Sequence, residues 1–233
     1  MDHGKPIIYV KNVRKVYRMG DEEVVALKRI NLRIYKGEVC CIFGTSGSGK
    51  STLLNQLAGM EKPTKGQVFI RGKNISDMNE EELAAFRQEH MSFIFQSYNL
   101  LPSITAVENV AMPLMFKGMD RKRREAMAEE MLKRVGLSHR LHHYPSQMSG
   151  GQQQRAGIAR AFVSRPEVVF ADEPTGNLDT KTTAEIMDMV MGFARRFNQT
   201  IILVTHDPGM SRYADRIVTL VDGIITGDER KGQ

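Results

Sequence analysis

Residues 39–58 leave this chain the fewest choices. Val39-Cys40-Cys41-Ile42-Phe43 is continuously apolar, as a strand buried on both faces must be. It runs straight into Gly44-Thr45-Ser46-Gly47-Ser48-Gly49-Lys50-Ser51, which fills every fixed position of G-x-x-x-x-G-K-[ST]. A helix from Lys50 to Ala58, closing at Gly59, is predicted to follow. Glycines let such a loop curl so that successive backbone N–H groups face inward and surround phosphate oxygens. The N-terminus of the helix behind it adds partial positive charge at the same point. Gly44, Ser46, Gly47, Ser48, Gly49 and Thr52 are therefore candidates to hold a polyphosphate. Lys50 would reach its β- and γ-phosphates as a mobile charge, and the Ser51 hydroxyl would ligate Mg²⁺. A plain glycine- and serine-rich turn would not need the Lys-Ser pair.

Two more runs read as buried strands, and both end in chemically active side chains. Val168-Val169-Phe170-Ala171 leads into Asp172-Glu173, carboxylates that are costly at the end of a core strand unless a cation is near. Asp172 is the candidate to hold Mg²⁺, directly or through its water, and Glu173 to act as general base on an attacking water. Ile201-Ile202-Leu203-Val204 ends in Thr205-His206-Asp207, where His206 could bond the γ-phosphate. Ile30, Leu32 and Ile34 alternate with polar residues instead, as in a half-exposed strand of an antiparallel flank. Strands alternating with helices from end to end predict an α/β P-loop NTPase fold, with a mainly parallel core sheet and an antiparallel β flank.

The middle of the chain is helical. Helices are predicted over Glu80–His90, opened by the Asn79/Glu82 pair, over 106–116, over 120–135 and over 153–161, with a short strand at Met91–Phe95. Residues 97–150 read as a helical subdomain inserted into a single domain spanning 1–233. The balance of 33 Lys+Arg against 27 Asp+Glu, +6 over 233 residues, is mild for a nucleic-acid binder. Its densest basic run, Arg121–Arg124, precedes Glu125, Glu129 and Glu130 at helical spacing, which favours a solvated face. No stretch approaches the ~20 apolar residues of a membrane span, and Met-Asp-His-Gly-Lys-Pro lacks the apolar centre of a leader. The adjacent Cys40 and Cys41 read as buried strand residues, and His139, His142 and His143 as surface residues without a carboxylate or thiolate set around them.

Met148-Ser149-Gly150-Gly151-Gln152 then narrows the field, because it resembles the L-S-G-G-Q signature of ABC (ATP-binding cassette) ATPases, with Met148 where Leu is usual. The other segments fall in that family's order. Gln96 is similar to its Q-loop glutamine, a contact to nucleotide and metal, Asn177-Leu178-Asp179 to its D-loop, and His206 to its switch histidine. Tyr17 resembles the aromatic that stacks on adenine. The likeness runs from Tyr17 to at least Gly223. Asp172-Glu173-Pro174-Thr175-Gly176-Asn177, Phe95-Gln96 with Asn99-Leu100-Leu101-Pro102, and Glu108–Leu114 are similar to the MacB/LolD branch, which serves lipoprotein release, macrolide export and peptide-antibiotic resistance.

That resemblance implies an ATPase that uses ATP and Mg²⁺ and works as a homodimer on two integral membrane permease subunits, at the cytoplasmic face of the membrane. Gln96, Lys50, Glu173 and His206 would carry the reaction, with Ser51, Gln96 and Asp172 at the metal. Ser149, Gly150, Gly151, Gln152 and Asp179 would meet the nucleotide of the second chain, so that ATP draws two chains together head to tail. Leu100, Leu101 and Met115 are candidates for core or for the permease interface. An ABC ATPase acting on nucleic acid is disfavoured by the short, cysteine-free interval between phosphate loop and signature. A guanine-nucleotide switch is disfavoured because Asn-Lys-x-Asp is absent. An envelope-remodelling ATPase that moves no substrate stays open beside transport.

Overall fold

The computed structural model describes residues 4–231; residues 1–3, part of the segment weighed above as a leader, lie outside them. The chain divides into two compact units, 1–87 with 198–233, and 88–197.

The first unit opens with two long strands, β1 (Ile8–Met19) and β2 (Glu22–Ile34), then β3 (Val39–Phe43), α1 (Lys50–Leu57), β4 (Lys65–Ile70), β5 (Lys73–Asn74) and α2 (Glu80–His90), whose last three residues belong to the second unit. The second runs through β6 (Met91–Phe95), α3 (Ala106–Phe116), α4 (Arg121–Arg134), α5 (Gly150–Val163), β7 (Val168–Asp172) and α6 (Thr180–Phe197). The chain then returns to the first unit with β8 (Thr200–Thr205), β9 (Arg216–Val221) and β10 (Ile224–Arg230).

Both expected sheet types are present, and the α/β P-loop fold read from the sequence is borne out. In the first unit β3 pairs in parallel with β8 on one side and β9 on the other, and β10 closes that edge antiparallel to β9. Strand β3 can lie in the middle because Val39, Cys40, Cys41 and Ile42 are all buried, leaving neither face polar. Both thiols are free, and burial pushes the Cys41 thiol up to about 11, so it packs as a small hydrophobe. The antiparallel flank has the order β2-β1-β4-β5. On β2, Ile30, Leu32 and Ile34 point inward while Arg29, Asn31 and Arg33 are exposed, as the alternation predicts. Arg216 ties the two sheets of this unit together: its guanidinium grips Asp228 of β10 at 2.5 and 2.6 Å and donates to the Arg33 carbonyl of β2 at 2.6 Å.

In the second unit β6 and β7 pair in parallel, with Phe93 stacked on Phe170 at 5.4 Å across the pair. Helix ends match their capping residues. Asn79 and Glu82 bond each other's backbone at the start of α2, Thr105 and Glu108 form a capping box on α3, and Asp120 caps α4. The Arg121/Glu125 and Arg134/Glu130 pairs form on α4 as the spacing predicts. Helix α5 is longer than the 153–161 read from pattern. The Ser149 side chain accepts from the Gln152 N–H while Gln152 bonds back to Ser149 N, and this capping box starts the helix at Gly150.

Candidate functional site

In the first unit the phosphate loop joins β3 to α1. Its glycines are there for different reasons. A Cβ on Gly44 would sit 2.3 Å from the Leu220 carbonyl oxygen, so that position has no room. Gly47 has open space but lies at φ +79°, and Gly49 lies at φ +100° with the Ala26 carbonyl oxygen 2.7 Å from any added Cβ. Helix α1 starts at that left-handed Gly49 without a side-chain cap, so the N–H groups of its first turn keep no side-chain acceptor. Lys50 is buried, and its Nζ donates to the Thr45 carbonyl at 2.8 Å across the loop. The Ser48 hydroxyl is buried with no hydrogen-bond partner. Uncapped donors, an orphaned hydroxyl and an ammonium in one turn are what a polyphosphate satisfies. Ser46 and Ser51 are exposed beside them, and the Ser51 oxygen suits a hard cation.

Two more expected nucleotide residues meet in this unit. Tyr17 on β1 and Thr52 on α1 share a hydrogen bond, and the Tyr17 hydroxyl donates to Glu61 Oε2 at 2.8 Å. Lys15 lies over the Tyr17 ring at 5.1 Å and bridges to Glu61 at 3.0 Å, and Asn55 donates to the same carboxylate. Burial raises the Tyr17 phenol, with Glu61 adding to it against the Thr52 bond. Burial also pushes the Glu61 carboxyl upward, but hydrogen bonds from Tyr17, Lys15 and Asn55 outweigh it and leave the group below its usual range. Glu61 stands 44 residues from Tyr17, and nothing local in the sequence singles it out. His206 is exposed just past the end of β8.

The second unit holds the remaining candidates. Asp172 ends β7, and Glu173 follows at φ +43°, a left-handed backbone that costs a non-glycine residue energy. The turn beyond it gathers Gln96 at the end of β6: Gln96 Nε2 donates to Asn177 Oδ1 at 3.4 Å, and Asn177 Nδ2 donates to the Gln96 carbonyl at 3.2 Å. A Cβ on Gly176 would fall 2.6 Å from Gln96 Nε2, so that glycine makes room for the glutamine. Ser149 caps α5 and Gly150, Gly151 and Gln152 form its first turn, where a Cβ on Gly150 would meet the Tyr98 hydroxyl at 2.7 Å. The Asp179 carboxylate accepts from Lys181 N, Thr182 N and Thr182 Oγ1, and these bonds, the Thr182 side chain first, hold its pKa down. It thus caps α6, a role its resemblance to a D-loop residue did not suggest. The loop after Gln96 is fastened to α5, because Arg160 donates to the carbonyls of Tyr98 and Asn99, both left-handed.

The profile of the ABC transporter family matches residues 27–176. The chain belongs to that family. It is an ATPase with the family's ATP-binding fold. An uncharacterized ABC transporter ATP-binding protein of Methanocaldococcus jannaschii is 48% identical over 219 residues, covering 94% of this chain and 97% of its own. The macrolide export ATP-binding/permease protein MacB of Shewanella sp. (strain ANA-3) is 47% identical over 225 residues. That match takes in 97% of this chain but 34% of MacB, so the cassette spans about a third of the MacB relatives. Among solved structures, the dimeric post-hydrolysis ATP-binding cassette MJ0796 bound to ADP and Pi superposes with a TM-score of 0.89 at 42% identity, over 96% of this chain and 98% of that one. The MacB/LolD-type resemblance holds.

Two side chains next to the expected site residues were not singled out in the sequence: Glu61, which accepts from Tyr17, and Gln154, whose Nε2 donates to the Pro174 carbonyl beside Glu173. Gln154 shares the buried face of α5 with Ile158, Ala161 and Phe162. A polar residue at that register of an apolar stripe was the signal to follow.

Proposed function

We propose that this cassette powers export or extraction of a lipophilic, peptide or lipoprotein substrate, through ATP-driven closure of a head-to-tail pair on membrane permease subunits. The observation that carries the nucleotide half of the reading is the phosphate loop itself, with Ser48 Oγ buried and unpartnered at a helix N-terminus that no side chain caps; export is suggested by the MacB relatives. Gly44, Ser46, Gly47, Ser48, Gly49 and Thr52 hold the phosphates of ATP, Lys50 bonds the β- and γ-phosphates, and Tyr17 takes the adenine. Ser51, Gln96 and Asp172 would hold Mg²⁺, as the family resemblance implies. When bound, the ion neutralises charge on the phosphates.

Glu173 draws the proton from the attacking water, His206 bonds the γ-phosphate, and Gln96 orients the site. In the family's arrangement Ser149, Gly150, Gly151, Gln152 and Asp179 meet the nucleotide of the second chain. ATP then favours the closed pair because only there does it gain that second set of contacts, and hydrolysis removes the tie. Dimerisation is supported by the dimeric cassettes to which this chain is similar, and a membrane partner by the permease part of the MacB relatives. No helix among the described residues is long and apolar enough to cross a membrane, and the reading calls for a surface that meets the permease.

The second unit offers one. A groove of about 450 Å³ beside α3 and α4 is floored by Leu101, Ile104, Ala111, Met112, Met115 and Phe116 and edged by Glu108, Arg121, Arg124 and Glu125. Leu101, Met115 and Phe116 are 47%, 44% and 61% exposed, unusual for side chains that apolar. Docking there places the cassette at the cytoplasmic face of the membrane.

Lys50→Ala tests the nucleotide half of the reading. Hydrogen bonds to a charged group are worth about 1.5–3 kcal/mol, so ATP affinity by calorimetric titration should fall by about 10- to 100-fold. An unchanged affinity would reject the phosphate contact.

A further inference from the structure

The turn Glu173–Asn177 is held from two sides within the second unit. On one side stand the bonds between Gln96 and Asn177. On the other stands Gln154 of α5, fully buried, with its Nε2 donating to the Pro174 carbonyl. Its Oε1 is buried and has no hydrogen-bond partner. An apolar residue of similar shape would trade the orphaned Gln154 oxygen for an orphaned Pro174 carbonyl, so stability alone gives little reason for a glutamine with half its amide unsatisfied. The bond to Pro174 is what the position gains. It falls one peptide beyond Glu173, whose backbone is left-handed at φ +43° and needs holding.

We propose that Gln154 is a positioning residue for hydrolysis. By gripping the Pro174 carbonyl it fixes Glu173 in that backbone conformation, and so ties the setting of the base to the position of α5. Helix α5 begins at the signature, and Gln154 stands five residues after Ser149, little more than one helical turn. A contact made by the signature with the second chain's nucleotide is therefore felt at the base that serves this chain's own nucleotide. The two sites of a closed pair are coupled through a single rigid helix in each chain. This rests on the proposed role of Glu173 as base.

The test compares Gln154→Leu and Gln154→Glu with Glu173→Gln. Leu removes both the orphaned oxygen and the donor; Glu keeps the length and replaces the donor with a second acceptor. Misplacing a catalytic group by about 1 Å costs on the order of 10²-fold, so kcat should fall by about that factor in both variants. KM and ATP affinity should stay within about twofold, because the phosphate contacts are untouched. The melting temperature of Gln154→Leu should stay within about 3 °C of the parent. A merely structural role predicts otherwise: wild-type kcat in Gln154→Leu, or kcat, affinity and melting temperature all declining together. Either result overturns the proposal, and if Leu does not fold, Glu decides on the same readouts. Glu173→Gln separates the two ideas. If it is inactive while the Gln154 variants turn over normally, the positioning role alone fails; if it hydrolyses ATP at the parental rate, the base assignment fails and takes this proposal with it.

Discussion

Two glycines of the phosphate loop, two residues apart, should respond very differently to a single added methyl. At Gly47 a Cβ meets nothing within 4 Å, so Gly47→Ala costs only the left-handed backbone at φ +79°, about 1–2 kcal/mol. At Gly49 the backbone penalty applies at φ +100°, and the new Cβ also lands 2.7 Å from the Ala26 carbonyl oxygen and 3.2 Å from Leu27 Cδ2. Ala26 lies within β2, so its carbonyl cannot retreat as the tip of a flexible side chain would. Overpacking adds about 1–3 kcal/mol, for a total of roughly 2–5 kcal/mol. At about 2–4 °C per kcal/mol for a chain of this size, Gly47→Ala should melt about 2–8 °C below the parent, and Gly49→Ala up to about 20 °C below. Differential scanning calorimetry of the three proteins in one buffer, without nucleotide, measures the order. Gly49→Ala melting at or above Gly47→Ala would refute the close approach of β2 to the loop.

The Glu61 carboxylate gives a pH signature. Its folded pKa lies below the unfolded value of about 4.3, so its contribution is fully present above that value and lost as pH falls through the folded pKa. Denaturant melts of the parent and Glu61→Gln should differ by a constant amount above about pH 5 and converge toward about pH 3; a gap that widens in acid would contradict the Tyr17, Lys15 and Asn55 bonds. Phe116→Asp addresses the groove. Because Phe116 is 61% exposed, the change should move stability by no more than about 0.5 kcal/mol. It should leave ATP hydrolysis by the isolated chain intact, yet reduce the share of the chain that sediments with membranes of a cell expressing its permease. An unchanged membrane share would rule the groove out as the coupling surface.

What could be read from the sequence was what local pattern encodes. Strands β3, β7 and β8 were legible because each is buried on both faces and so written as an unbroken apolar run. Helix α2 announced itself through Asn79 and Glu82, which bond each other's backbone as their spacing foretold. Strand β1 was obscured by its own irregularity, since register shifts against β2 between Val10 and Val16 break the alternation that marks a half-buried strand. Helix α6 went unanticipated although Ile186, Met187, Val190 and Ala194 form a buried stripe at helical spacing. Its capping residue, Asp179, had already been explained as a nucleotide contact. Among the proposed site residues, Lys50 and Ser51 were visible through the fixed spacing of the phosphate-loop motif, and Asp172 and Glu173 as carboxylates ending a buried strand. Partners set by tertiary approach were not visible: Glu61 reaches Tyr17 from 44 positions away, and Gln154 reaches Pro174 from 20.

Light scattering of Glu173→Gln on a sizing column, with Mg²⁺ and either ATP or ADP, reaches the central claim most directly. With ATP the account predicts a particle of twice the 26.3 kDa chain mass, and with ADP a return to a single chain. A variant that binds ATP yet stays at 26.3 kDa at every protein concentration would contradict it.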